Sequence, residues 1–153
     1  MTQNENLIKQ FKELFNGDPW LDSSTLGILS SVSFERAAQK PKHLTNSIWE
    51  ITNHVISWRE VVLARIHGAK DVTPEHNYFL PIDDTSEKAW LKTLEQLKKS
   101  QEVWIGFLGT VSDEKLSQQY LNTNYNVYDL IFGIMQHDAY HLGQLALLAK
   151  YEL

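Results

Sequence analysis

The chain contains 153 residues, of which 42% are hydrophobic and 22% are charged, and its formal net charge at pH 7 is −5. This composition predicts one folded domain over residues 1–153, and its scattered lysines and arginines form no basic cluster beyond Lys98 and Lys99. Nucleic acids and anionic membrane surfaces both bind concentrated positive charge, so neither is an expected partner.

The chain has no cysteine. Disulfide bonds, a cysteine nucleophile and thiolate metal ligands are therefore excluded, and a transition-metal site would need histidine or carboxylate ligands. The polar residues 1–6 lack the features of a signal peptide. No apolar stretch approaches the roughly 18 residues that suggest a membrane span, so the expected location is the cytoplasm.

The first half of the chain predicts one long helix, two short ones and a second long helix. Leu7, Phe11 and Leu14 have helical spacing and place the first helix at residues 5–15. Short helical segments are predicted at residues 24–31 and 34–38. Ser47 and Glu50 fit a capping box, which starts a long helix that ends near His67, before Gly68.

The second half begins with a long connection, residues 68–84, that has no helical period. Seventeen extended residues reach roughly 55 Å, which exceeds the ~30 Å length of the preceding helix. The connection can therefore cross the bundle and allow the second and third long helices to run parallel. The third long helix is predicted at residues 85–108, a turn at 112–116, and the fourth long helix at 126–150 with Asn126 as its N-cap. The predicted fold class is an all-α four-helix bundle.

The fourth helix carries two histidines within its apolar stripe. That stripe consists of Val127, Leu130, Ile134, His137, His141, Leu145 and Leu148. Positions four residues apart lie about 6 Å apart on one face, so His137 and His141 can converge on one ion. Periodicity alone leaves two equal interpretations of these histidines. Either they form a metal-binding pair, or they belong to a hydrogen-bonded polar core or to an exposed face.

The position of a third metal ligand in the sequence distinguishes a zincin-type site from other metal sites. A zincin would have glutamate after the first histidine and a downstream ligand, whereas here Asp138 follows His137 and only 12 residues follow His141. The third ligand must therefore come from upstream. Of the upstream histidines, His54 alone is on a helix face that can point into the bundle; the others are His43, His67 and His76. Three histidines would leave coordination positions open, as catalytic metal sites do.

Five other side chains are weaker candidates for the site. Asp138 and Gln144 could orient a ligand histidine. The helical rotation favours a solvated or interfacial Asp138, and a helix contact is the favoured alternative for Gln144. Tyr140 and Trp58 could line a substrate cavity, although aromatic residues at helical spacing more often belong to a core. Gln101 could face the cavity or lie at a boundary. No catalytic residue is assigned.

Three stretches of the sequence resemble the DinB/YfiT-like superfamily of small four-helix metalloproteins. They are "GDPWLDSSTLGILSSVSFERAAQKP", "NSIWEITNHVISWRE" and "NVYDLIFGIMQHDAYHLGQLALL". The last two contain the family's S-I-W-E helix start with its following histidine, and its Q-H-x-x-Y-H-x-G-Q motif. The resemblance implies an up-down-down-up bundle, a frequent homodimer, and a divalent metal held by His54, His137 and His141.

The resemblance also implies a small-molecule substrate. Known members include metal-dependent transferases of low-molecular-weight thiols such as bacillithiol, and the leading hypothesis is transfer of such a thiol to an electrophile. The alternatives are a hydrolase that uses metal-bound water and a non-enzymatic, dimeric metal-binding module. Imidazole ligands do not identify the metal, which is expected to be a divalent transition metal such as Zn, Ni, Fe or Mn.

Overall fold

Seven helices form the regular structure of residues 2–150, the part of the chain that the computed structural model describes. They are α1 (Gln3–Asn16), α2 (Thr25–Leu29), α3 (Phe34–Ala38), α4 (Ile48–Ile66), α5 (Glu87–Thr110), α6 (Asp113–Ser117) and α7 (Val127–Lys150). This range contains no strand, so the predicted all-α class is confirmed. None of these helices is both long and apolar enough to cross a membrane.

The two helices that carry the histidines begin where the sequence predicts. Before α4, Ser47 Oγ accepts the Glu50 N–H at 3.2 Å and Glu50 Oε2 accepts the Ser47 N–H at 2.7 Å. Before α7, Asn126 Oδ1 accepts the Asp129 N–H at 2.9 Å and Asp129 Oδ2 accepts the Asn126 N–H at 2.8 Å. Each reciprocal pair satisfies backbone donors that the first turn leaves free and fixes where the helix starts.

The other two long helices differ slightly from the predicted bounds. α1 begins earlier than predicted because Thr2 and Glu5 form a capping box. α5 begins later because the Ser86 side chain accepts the Ala89 N–H and acts as the N-cap. α5 also ends later than the predicted residue 108, at Thr110. These shifts show that a cap side chain, rather than the apolar period, sets the first residue of a helix.

The second and third long helices, α4 and α5, run parallel. Near their starts, Trp49 Nε1 donates to Thr93 Oγ1 at 2.9 Å. Further along both helices, Trp104 Nε1 donates to the Arg59 carbonyl oxygen at 3.1 Å. Residue numbers therefore increase in the same direction along both helices. The connection between them must return along the bundle, as its length predicts.

The remaining long helices run antiparallel to these two. Asn4 Nδ2 of α1 donates to the Val111 carbonyl oxygen just after α5, and Gln101 Nε2 of α5 donates to the Phe11 carbonyl oxygen of α1. The start of α4 lies beside the end of α7, and the end of α4 lies beside the start of α7. These directions agree with an up-down-down-up order of α1, α4, α5 and α7.

A polar layer separates two apolar clusters in the core. One cluster contains Trp49, Trp90 and Leu145, and the other contains Phe11 and Trp104. The middle segments of α4, α5 and α7 lie between the two clusters. Their buried polar side chains are His54, Arg59, Ser100, Gln101, Asp138 and His141. Because each buried polar group needs a partner, this layer concentrates the specific hydrogen bonds of the bundle.

Candidate metal centre

The structure brings together the three histidines that the sequence predicts. His54 lies on α4, and His137 and His141 lie on α7; each offers one ring nitrogen, and these nitrogens all lie within 4.8 Å of one another. His54 Nε2 and His137 Nε2 are 3.1 Å apart. His54 and His141 are buried, whereas the His137 side chain is 24% exposed. The cluster is therefore accessible from the His137 side.

Hydrogen bonds set the protonation of two of the rings. His54 Nδ1 lies 2.7 Å from the Asn77 carbonyl oxygen, and His141 Nδ1 lies 2.7 Å from Gln144 Oε1. Both partners are oxygens that accept, so each Nδ1 carries the hydrogen and donates it. The Nε2 atom of each neutral ring then carries a lone pair, and that of His54 lies 3.1 Å from His137 Nε2. Gln144, one of the weaker candidates from the sequence, therefore contacts His141.

The connection between α4 and α5 contributes directly to the cluster. Asn77 has a positive φ of 47°, a backbone region in which asparagine is enriched, and its side chain accepts the Trp58 Nε1–H at 3.1 Å. Phe79 stacks on the His54 ring with a centroid distance of 3.8 Å and an interplanar angle of 9°. The sequence predicted only that this segment is long enough to cross the bundle. Neither Asn77 nor Phe79 carried a signal that linked it to His54.

Burial favours the neutral forms of His54 and His141. Desolvation lowers the pKa of His54 from 6.5 to about 4; the hydrogen bond to Asn77 opposes this effect, and the neighbouring His141 and His137 add to it. Desolvation also lowers the pKa of His141, and the nearby His137 adds to the effect. Neutral imidazole is the form that binds metal ions. Electrostatics and hydrogen bonding thus favour the same metal-binding state.

The spacing of the nitrogens fits a shared metal ion. Two nitrogens that each lie about 2.1 Å from one ion are roughly 3.0–3.4 Å apart at octahedral or tetrahedral angles. The separation of 3.1 Å between His54 Nε2 and His137 Nε2 falls in this range. The three histidines could therefore hold a metal ion. Within residues 2–150, the histidines His43, His67 and His76 take no part in this cluster.

Asp138 does not face solvent, so the expectation of a solvated side chain is wrong. It is 3% exposed and forms a buried ion pair in which its Oδ2 atom lies 2.8 Å from both Nε and Nη2 of Arg59. The buried face of α7 is therefore wider than the predicted stripe and includes Asp138 and Leu142 as well as His141. A carboxylate can occupy this position because Arg59 reaches it from α4.

The three remaining candidates lie in different surroundings. Gln101 is buried but bonds to Arg59 and to the Phe11 carbonyl oxygen rather than facing the histidines. Tyr140 is 65% exposed, with its ring centroid 5.0 Å from that of His141, so it is not part of the core. Trp58 is half-buried and lies beside His137, with a distance of 5.7 Å between their ring centroids.

A mainly apolar pocket adjoins the exposed side of the cluster. Its volume is about 380 Å³, and it lies between the end of α4 and the start of α7. Its lining includes Trp58, Val62, Leu130, Gly133, Ile134 and His137. A small molecule in this pocket would therefore contact His137 directly.

The fold and the cluster together define a class: an all-α bundle with three buried or half-buried histidines that could hold a metal ion. Residues 21–145 match the DinB superfamily, and the chain belongs to that family. No curated protein matches the chain, and no solved structure matches it either.

The lowered pKa of His54 predicts how the metal-free protein responds to acid. Between pH 6.5 and about 4 the unfolded chain takes up a proton at His54 that the folded chain resists. The free energy of unfolding should therefore fall as the pH drops through this window, by up to about 3 kcal/mol from this group. Urea unfolding of chelator-treated protein at pH 7, 5.5 and 4.5 measures the change.

His54→Gln should show a smaller loss of stability over the same pH range, since it removes the group that titrates. His43→Gln is the matched control, because His43 is exposed and outside the cluster. It should lose as much stability as the wild type. Equal losses in all three proteins would contradict the assignment to His54.

Proposed function

We propose that His54, His137 and His141 bind a divalent transition metal. The observation that carries this proposal is the convergence of three ring nitrogens within 4.8 Å, two of them on neutral rings whose Nδ1–H groups already have acceptors. Membership of the DinB superfamily supports it. Zn, Ni, Fe and Mn remain the candidate ions, since imidazole suits several of them.

We propose further that the protein transfers a low-molecular-weight thiol of the bacillithiol type to an electrophile. A bound divalent ion lowers the pKa of a thiol and stabilises the thiolate. The chain has no cysteine, so the sulfur must come from the substrate. With a chlorinated aromatic electrophile, a C–S bond forms, the C–Cl bond breaks, chloride leaves and the thiol proton passes to solvent.

The pocket beside His137 is the proposed site of the electrophile. Its lining is mainly apolar, and it opens on the side from which the cluster is accessible. Trp58 and Ile134 would contact an aromatic or aliphatic substrate, while His137 lines the pocket and is also one of the proposed metal ligands. The buried sides of the cluster are covered by Phe79 and by α7 itself.

Replacement of each histidine tests the metal site. Each of the three variants should weaken zinc binding strongly: His54→Ala, His137→Ala and His141→Ala. The loss should exceed the roughly 10–100-fold that is typical when a residue hydrogen-bonded to a metal ligand is removed. Elemental analysis and competition with a chelator measure occupancy and affinity. His43→Ala is the control and should bind zinc like the wild type. Full occupancy in the three cluster variants would overturn the proposal.

Filling the pocket tests the proposed activity separately. Gly133 lines the pocket and has open space around its Cβ position. Gly133→Leu should therefore lower kcat/KM for a chlorinated aromatic electrophile by about tenfold or more while zinc occupancy stays unchanged. Gly106 also has open space but lies outside this pocket, on α5. Gly106→Leu should keep full activity.

The same assay distinguishes the three classes of function. Turnover that requires added thiol and falls in Gly133→Leu supports the transferase. Turnover without thiol would support a hydrolase instead. Zinc binding without turnover by any thiol, together with a large fall in Tm on chelation, would support a metal-binding module.

We also propose that the protein forms a homodimer through the outer face of α7. Phe132, Tyr140 and Leu147 are exposed and recur at helical spacing on this face. Leu147→Glu should shift the sedimentation coefficient from that of a dimer to that of a monomer. Leu91→Glu should not, because Leu91 is also an exposed leucine but lies on α5. A wild-type protein that sediments as a monomer would refute the dimer.

A further inference from the structure

The two oxygens of the Asp138 carboxylate have different surroundings. Oδ2 accepts the Nε–H of Arg59 at 2.8 Å and lies 2.8 Å from Nη2 of the same guanidinium in an ion pair. Oδ1 is buried and has no hydrogen-bond partner. A buried carboxylate oxygen without a partner is costly, because it has lost its water. The surroundings of Oδ1 therefore indicate from which group it could accept a hydrogen bond.

The atom that Oδ1 faces is Nδ1 of His137. The two atoms are 3.8 Å apart, and Nδ1 of His137 is also buried without a hydrogen-bond partner. This distance exceeds a hydrogen bond by less than 1 Å, which a rotation of one side chain can close. The pair is thus two buried polar atoms without partners, and a hydrogen on the ring nitrogen would let the carboxylate oxygen accept it.

We propose that Asp138, held by Arg59, is the positioning residue of His137: its Oδ1 accepts the Nδ1–H and leaves Nε2 free to bind the metal. This inference rests on the proposed metal site. With it, each histidine has its own Nδ1 acceptor: the Asn77 carbonyl for His54, the Gln144 amide for His141 and the Asp138 carboxylate for His137. Such acceptors orient metal-binding imidazoles and raise their basicity.

Arg59 fixes the orientation of the carboxylate. Its Nη1 donates to Gln101 Oε1 at 3.0 Å, and its guanidinium lies 5.5 Å from the centroid of the Phe15 ring. The guanidinium is therefore held from α5 and α1, and it cannot follow the carboxylate if Asp138 turns. Because Nε and Nη2 of Arg59 both lie 2.8 Å from Oδ2, Oδ1 is the carboxylate oxygen that stays available to His137.

Asp138→Asn is the sharpest test. The donors of Arg59 require an oxygen at the Oδ2 position, so the asparagine would present its NH2 group to His137. That group favours a lone pair on Nδ1 and a hydrogen on Nε2, the tautomer that cannot bind a metal through Nε2. We expect the affinity for zinc, measured by chelator competition, to fall about 10–100-fold.

Gln101→Leu is the matched control, since it also removes a partner of Arg59 but leaves Oδ1 unchanged. It should lower the Tm of the metal-free protein and leave zinc affinity within twofold of the wild type. If Asp138→Asn reduces affinity no more than Gln101→Leu does, Asp138 has only a structural role and the inference fails.

Ring ¹⁵N NMR of the zinc-loaded wild type tests the inference without any variant. We expect His137 to coordinate through Nε2 and to carry hydrogen on Nδ1. Coordination through Nδ1 would overturn the role of Asp138 while leaving the metal site intact. A wild-type protein that binds no zinc, nickel, iron or manganese would instead overturn the proposed function itself.

Discussion

The buried ion pair between Arg59 and Asp138 is the interaction on which the polar layer of the bundle depends. Both side chains are 2% exposed, so neither charge is stabilised by water. Removing one partner from such a pair typically costs about 3–5 kcal/mol, because the other charge stays buried and unpaired. Arg59 also bonds to Gln101 of α5. The pair therefore fixes the positions of α4, α5 and α7 relative to one another at the level of the histidines. An apolar contact at this level would allow the helices to slide past one another.

The long connection between α4 and α5 is part of the same arrangement. Parallel neighbours require a returning segment, and here that segment supplies the acceptor for His54 and the ring stacked on it. The topology of the bundle and the chemistry of the cluster are thus linked through Asn77 and Phe79. A shorter loop between antiparallel helices would leave the His54 face open to water, which would remove the main cause of its lowered pKa.

Local signals in the sequence were sufficient to predict the helices and the three histidines. Capping pairs such as Ser47 with Glu50 act over three residues, and the spacing of His137 and His141 follows from one helical turn. The burial of Asp138 could not be read in this way, because it depends on an arginine 79 positions away. The roles of Asn77 and Phe79 likewise follow from the path of an irregular segment, which has no period to reveal it.

The rigidity of the cluster has a consequence for binding. His54 and His141 are already held by their Nδ1 hydrogen bonds, so little side-chain freedom remains to be lost when a ligand arrives. His137 differs, since it is the most exposed of the three and its Nδ1 has no bond in the present geometry. It is also the histidine that borders the pocket. The histidine with the fewest constraints therefore borders the pocket, and a small rotation of its ring toward Asp138 would supply the missing Nδ1 hydrogen bond.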